Sequence, residues 1–212
     1  MILGIHRITV ERKLVYLAKK AQLSQTKFLE GLKDSVSHAQ IDDLITIEHT
    51  KLKPLTVSLA VDARRRYILG AQVAPIGAFG HLAELSRRRY GRRENLHKNG
   101  LKRLFETFAP LLTENAQIES DEHLHYPDFV KKYAPTAIHQ RFKSVRGSIV
   151  GQGELKRIRF DPLFAINHSC AMLRGNINRL IRKTWCTTKR PERLQMHLDV
   201  FISFYNSEYL RK

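Results

Sequence analysis

The sequence predicts an α/β fold of α+β character: a mixed sheet with helices on its faces, in the order β-β-β-α-β-α-β-α. Three observations predict it. Three short segments rich in Ile, Val, Leu and Thr follow one another between residues 41 and 73, separated by turn-forming residues. From residue 95 onward, stretches with helical spacing alternate with single short strands. Finally, 212 residues of which 42% are hydrophobic are enough to bury one ordinary core.

The chain opens with a short turn and a helix in which Val10, Leu14 and Leu17 share one side while Arg7, Glu11, Arg12 and Lys13 stay in water. That is the rhythm of a recognition helix, so residues 1–38 are expected to be a partial, truncated helix-turn-helix with a linker helix. An ordinary surface helix with a basic face has the same periodicity. The segments Ile41–Thr50, Leu55–Val61 and Tyr67–Val73, divided by Lys53-Pro54 and Asp62-Ala63-Arg64, read as three strands of a meander. From Asn95 to Leu112 the spacing of Leu96, Leu101, Leu104, Phe105, Phe108 and Leu112 predicts an amphipathic helix. Ala116–Ser120 follows as a strand, Tyr126–Tyr133 as a short helix and Thr136–His139 as another strand. Asp161-Pro162 then makes a suitable N-cap and first helical residue for a helix reaching about Arg182.

A formal net charge of +17 and a pI near 10.2 favour a polyanionic partner, because binding one releases its counterions. Nucleic acid is the expected partner. A membrane is not, since no run of about 18 apolar residues is present. Cys170 and Cys186 cannot build a disulfide framework or a four-cysteine zinc site, which suits a reducing compartment. Charged residues interrupt the first twenty positions, so no secretory signal is read and a cytoplasmic location is expected.

Two acidic pairs stand out, Asp42 with Asp43 in the first strand and Asp121 with Glu122 just after the fourth. Carboxylates on neighbouring strands can hold a divalent metal that activates water and stabilises the leaving oxygen of a phosphodiester. Aspartates at strand ends also serve simply as turn formers.

Three strings carry a family resemblance: Ile41-Asp42-Asp43-Leu44-Ile45-Thr46-Ile47-Glu48-His49-Thr50-Lys51; Ser120-Asp121-Glu122-His123-Leu124-His125-Tyr126-Pro127; and Asn167-His168-Ser169-Cys170-Ala171-Met172-Leu173-Arg174, followed by Arg182-Lys183-Thr184-Trp185-Cys186-Thr187-Thr188-Lys189. From about residue 40 to the end the chain resembles the DDE-type insertion-sequence transposases, in the branch with Asn at the third position. The resemblance implies an RNase H-like catalytic domain over residues 39–212. It also implies Mg2+ or Mn2+ as cofactor, with Asp42, Asp121 and Asn167 as metal-site residues and Arg174 as basic partner. An Asn carbonyl ligates magnesium without charge, so weaker metal binding is expected. Asn167 and Arg174 are seven residues apart, almost two helical turns, and so share a face, with Ile166, Leu173, Ile177 and Leu180 as the buried stripe. Glu154, 33 residues after Asp121, is the alternative third acid. Asp43, Glu48 and Glu122 read as solvated neighbours. His123, His125 and His168 match no zinc spacing and read as solvated or hydrogen-bonded.

Positive charge gathers in Arg87, Arg88, Arg89, Arg92 and Arg93, continues through Lys98, Lys102 and Arg103, and recurs at Arg141, Lys143, Arg146, Lys156, Arg157 and Arg159 and at Arg179, Arg182, Lys183, Lys189, Arg190 and Arg193. These positions are expected to hold the phosphates of a duplex, and the resemblance implies that it is double-stranded DNA, at insertion-sequence ends and in the target. Tyr90 and Trp185 are candidates to stack on unpaired bases, although Trp185 reads more readily as a core aromatic at a helix end. The resemblance implies metal-dependent DNA cleavage and strand transfer by a dimer or larger assembly. A non-catalytic DNA-binding remnant or regulator, and a structure-specific nuclease, are the alternatives.

Overall fold

The computed structural model describes residues 4–143, 161–181 and 185–210. Its elements are α1 (Arg7–Glu30), β1 (Val36–Glu48), β2 (Thr50–Asp62), β3 (Ile68–Pro75), α2 (Leu82–Tyr90), α3 (His97–Phe108), β4 (Leu112–Asp121), α4 (Tyr126–Tyr133), β5 (Ile138–Phe142), α5 (Phe164–Asn176) and α6 (Pro191–Phe204), the last continued by a π-helical turn, Tyr205–Tyr209. The five strands form one mixed sheet in the order β3-β2-β1-β4-β5. The meander β1-β2-β3 is antiparallel, and β4 and β5 run parallel to β1. Among the described residues, no helix is long and apolar enough to cross a membrane.

Each face of the sheet carries its own core. On one face Ala39, Ile41 and Ala60 pack with Leu101, Leu104, Phe105 and Phe108 of α3, Tyr126 and Val130 of α4, and Leu29 at the end of α1. On the other, Leu44, Val57, Leu59 and Val73 pack with Ile166 and Leu173 of α5 and Leu194, Leu198 and Ile202 of α6. Because side chains alternate across a strand, Asp43 shares the face of Ile41, and Asp42 that of Leu44.

The three expected meander strands are present and longer than their local patterns suggest: β2 runs straight through Lys53-Pro54, expected as a turn, and the chain turns instead at His49, whose φ is 46°. The turn into β3 is tied by Asp62, whose Oδ1 accepts the backbone N–H groups of Arg64 and Arg65 (both 2.9 Å) and whose Oδ2 accepts Arg65 Nε at 2.6 Å. The helix expected from Asn95 to Leu112 is α3 with a 3-10 turn, Ala109–Leu111, after it. Tyr126–Tyr133 is as expected, and the following strand begins two residues later than its pattern predicts.

Five expectations need correction. α2 and α6 are helices that the expected element order does not contain. Asp161 and Pro162 precede α5 rather than cap it: Asp161 Oδ1 accepts the N–H of Leu163, the residue that occupies the N-cap, at 3.1 Å. α5 ends at Asn176, not near Arg182, because Ile177 leaves helical geometry, although Ile177 and Leu180 are buried as expected. In α1, Val10 and Leu17 are exposed; the buried positions are Ala18, Ala21 and Leu29, and the helix packs along α6, with Gln22 donating to Asp199 at 2.7 Å. The expected domain boundary at residue 38 falls inside β1.

α6 also closes the edge of β3. Gln195 accepts the N–H of Val73 and donates to Ala71 O, both at 2.9 Å, while Asn206 accepts the N–H of Ile68 at 2.9 Å and donates to its carbonyl at 2.8 Å. Side-chain amides thus stand in for a sixth strand and leave the edge no room to pair with another chain. Asn206→Leu is expected to cost roughly 2–3 kcal/mol, because it strands the buried Ile68 N–H. Chemical denaturation should show a lower midpoint at unchanged slope, and an unaltered midpoint would refute this role.

Candidate active site on the central strand

β1 pairs in parallel with β4 up to Ile41 and Ser120. The next residue on each strand is Asp42 and Asp121, so the two carboxylates occupy adjacent positions on neighbouring strands and face α5. Asp121 ends β4, and its Oδ1 accepts the N–H of His123 at 2.9 Å, turning the chain toward α4. Asp42 Oδ1 accepts the N–H of Asp43 at 2.7 Å. Burial pushes the Asp42 carboxyl up from 3.8 to about 7; the Asp43 N–H opposes this, the charges of Asp121 and Asp43 add to it, and Arg174 offsets part. Asp42, Asp121 and Arg174 therefore share one electrostatic neighbourhood.

Gln40 seats α5 on this face. Its Nε2 donates to Pro162 O at 2.7 Å, and its Oε1 accepts the N–H of Ile166 at 3.0 Å, so the first turn of α5 lies against β1 two residues before Asp42. Asn167 follows Ile166, half-buried, with its Nδ2 donating to Asp161 Oδ2 at 2.7 Å. That bond orients the amide, whose carbonyl oxygen is the atom a cation would use. Arg174 is half-buried on the same helix. Glu154 lies outside the described residues, as do Arg182 and Lys183.

A third carboxylate on this face is absent from the candidates that the sequence suggests. Glu119 is buried two residues before Asp121; Oε2 accepts Gln40 Nε2 at 2.7 Å and lies 2.9 Å from His38 Nε2, while Oε1 accepts Gln117 Nε2 at 2.8 Å. Its signal is the alternation Gln117, Glu119, Asp121 along a strand, which puts all three on one face.

On the opposite face Asp43 is not a solvated neighbour. Its carboxylate is 11% exposed and takes four hydrogen bonds: Oδ1 from Thr56 (2.9 Å) and Ser58 (2.5 Å), Oδ2 from Tyr126 (2.9 Å) and at 2.7 Å from His97 Nε2. Burial alone would raise this carboxyl, but the bonds and charge from His97, with Ser58 and Tyr126, hold it below its ordinary value. Burial, then the Asp43 charge, drives the Tyr126 hydroxyl well above its usual range. His123 and His125 stand beside His97, with ring centroids 4.8 and 5.8 Å from it, so both belong to a side-chain cluster. His168 sits on α5, its ring 6.0 Å from Phe164. Glu48, also expected to be solvated, is half-buried and pairs with Arg93 at 2.9 Å and Lys53 at 3.9 Å.

Of the basic residues, Arg87, Arg88, Arg89, Arg92, Lys98, Lys102, Arg103 and Lys189 are exposed. Arg87 and Arg92 line an open cavity of about 660 Å³ with Ser86 and Asn95. Arg93 departs from the group: its pairing with Glu48 makes it an internal tie between the α2–α3 connection and β1. Arg179 is half-buried and donates to Thr187 O at 3.2 Å. The Lys53 ammonium lies 4.7 Å over the Tyr90 ring. Trp185 is completely exposed, so the core alternative for it does not hold.

The raised Asp42 carboxyl fixes a pH dependence. Below about pH 4 it is protonated in folded and unfolded chains alike. Between about pH 4 and 7 the folded chain retains a proton that the unfolded chain releases, so stability falls as pH rises through that window, and the loss is complete above about pH 7. Asp42→Asn should therefore raise Tm by a few degrees near pH 8 without divalent metal and leave it unchanged near pH 4. Calorimetry at the two pH values checks this; an equal shift at both would rule it out.

No family model and no curated protein matches this chain.

Proposed function

We propose that the chain is the catalytic core of a DDE-type transposase with an RNase H-like fold, cutting DNA at insertion-sequence ends and joining the freed ends to target DNA. The observation that carries this reading is the placement of Asp42 and Asp121 at adjacent positions on neighbouring parallel strands, under the helix that bears Asn167 and Arg174. The element order supports it too. A three-strand meander is followed by helix, strand, helix, strand and helix, with α2 added before α3 and α6 after α5.

The donor set fits a hard divalent cation. Two carboxylates and an amide carbonyl offer only oxygen, and Asp42 stands beside a second acid whose influence Arg174 only partly offsets. Asp42, Asp121 and Asn167 would hold Mg2+ or Mn2+, which when bound lowers the pKa of the attacking water and stabilises charge on the phosphorane. The chain's own residues do the rest. Asp161 and Gln40 fix Asn167 and the start of α5 relative to the two acids. Arg174 faces the phosphate and favours the charge that builds there. Water attack at the element end breaks the phosphodiester and leaves a 3′ hydroxyl; that oxygen then attacks a target phosphodiester, which releases a target 3′ hydroxyl in exchange. The exposed arginines and lysines of α2 and α3 position the duplex without reading its bases. Two ends must meet for joining, so the working unit is a dimer or larger assembly.

Asp42→Ala and Asp121→Ala should reduce Mg2+-dependent cleavage of element-end DNA to background while DNA binding is retained, because negative charge near phosphate is removed. Asn167→Ala should impair cleavage, Asn167→Glu should keep it by restoring a charged oxygen, and Glu154→Gln should cost little. Full cleavage by either aspartate variant would end the proposal, and a dead Glu154→Gln beside an active Asn167→Ala would move the third ligand to Glu154.

Replacing Arg87, Arg88, Arg89 and Arg92 together by Ala, with Arg93 kept because it holds Glu48, should flatten the log-log salt dependence of duplex binding by about 0.9 for each phosphate that is no longer neutralised. An unchanged slope would remove this run from the DNA surface.

A further inference from the structure

We propose that the face of the sheet opposite the Asp42–Asp121 pair carries a separate site for one transition-metal ion, Zn2+, with Asp43, His97 and His123 as its protein ligands. The proposal does not depend on the transposase reading. Ligand atoms of these three residues all lie within 4.8 Å of one another. They arrive from three places in the fold: Asp43 from the central strand, His97 from the first turn of α3, and His123 from the turn between β4 and α4.

Zinc bonds of about 2.0–2.1 Å in a tetrahedral site set ligand atoms about 3.4 Å apart. The Asp43 Oδ2 to His97 Nε2 separation of 2.7 Å would open by about 0.7 Å, and His123 would close on the pair, both within the range of side-chain rotation. His123 Nδ1 now accepts the N–H of His125 at a long 3.3 Å. That contact yields whichever ring nitrogen binds, since Nδ1 must then carry either the proton or the metal. The fourth position is left to water, and His125, its ring 5.3 Å from His123 and 5.8 Å from His97, lines it.

Two features separate this cluster from an ordinary buried ion pair. Asp43 and His97 satisfy each other, which explains neither of the other two imidazoles gathered beside them. And the carboxylate is already oriented from behind: Thr56 and Ser58 hold Oδ1 while the Tyr126 hydroxyl holds Oδ2, as the outer partners of a metal ligand do. Two imidazoles and one carboxylate select zinc over magnesium, so the two faces would take different ions.

The test uses the full chain purified without chelator. Metal analysis should find about one zinc per chain, and Co2+ added to the stripped wild-type protein should give the visible ligand-field absorption of a low-symmetry nitrogen and oxygen site. His123→Ala, its fold checked by circular dichroism, should lose both signals. Tyr126→Phe should weaken Co2+ binding by roughly 10–100-fold. Asp42→Asn should leave zinc content unchanged, which separates this site from the proposed magnesium site. Wild-type protein without zinc that gives no Co2+ band would overturn the proposal. So would a His123→Ala variant that binds Co2+ as tightly as the wild type.

Discussion

Two consecutive carboxylates stand in the middle of the central strand, and a strand must send consecutive side chains to opposite faces. Both faces are covered by helices, so each charge is driven into a separate packed layer, and the layers are built around that fact. Under α3 and α4 the answer is hydrogen bonding: hydroxyls from β2, a hydroxyl from α4 and an imidazole from α3 converge on Asp43 and hold it ionised. Under α5 the answer is incomplete. Asp42 meets a second acid, and its carboxyl is pushed up to about 7.

The polar ties reach outward from those two positions. Gln40, on the face of Asp42, fixes α5 at Pro162 and Ile166 and also holds Glu119, so one buried amide links β1, β4 and α5. Farther out, Gln195 and Asn206 bind the free edge of β3 through side-chain amides. These bonds have direction, as apolar packing does not, and so set the register of helices whose buried faces are otherwise lined with interchangeable Leu and Ile.

How much of the structure is legible in the sequence follows the range of the forces involved. The meander and α3 are legible because their apolar residues repeat at periods of two and 3.6 over enough positions to count. α6 and the turn that continues it are not: Gln195 and Asn206 face a strand edge, so residues that the structure uses as glue read as solvent-facing. α2 is short, with three arginines at its end, and reads as a charge run before it reads as a helix. In α1 the large apolar residues Val10, Leu17 and Leu23 are exposed and the small Ala18 and Ala21 are buried, the reverse of a size-weighted pattern. The Asp42–Asp121 pair is legible from strand order. The Asp43–His97 bond spans 54 residues and the Glu48–Arg93 bond 45, and no local spacing announces contacts of that reach.

The distribution of positive charge bears on which buried acid is functional. A chain with a net charge of +17 has arginine and lysine to spare for its carboxylates. It uses them where structure requires: Arg65 on buried Asp62 at 2.6 Å, Arg93 and Lys53 on Glu48. At Asp42 it does not. Arg174 acts there only as the smallest of several influences, while burial and two neighbouring acids hold the carboxyl far above its ordinary range. Leaving two neighbouring acids poorly neutralised in so basic a protein is a local conflict with the rest of the design, and such conflicts concentrate at functional sites. A divalent cation would remove the conflict directly, since it meets both carboxylates at once. An added arginine would also neutralise them, but in the proposed reaction it would occupy the space that the phosphate and the attacking oxygen need. Under the function proposed above, the electrostatic defect at Asp42 and the exposed arginines and lysines of α2 and α3 would be two parts of one arrangement, the first taking the metal and the second the DNA backbone.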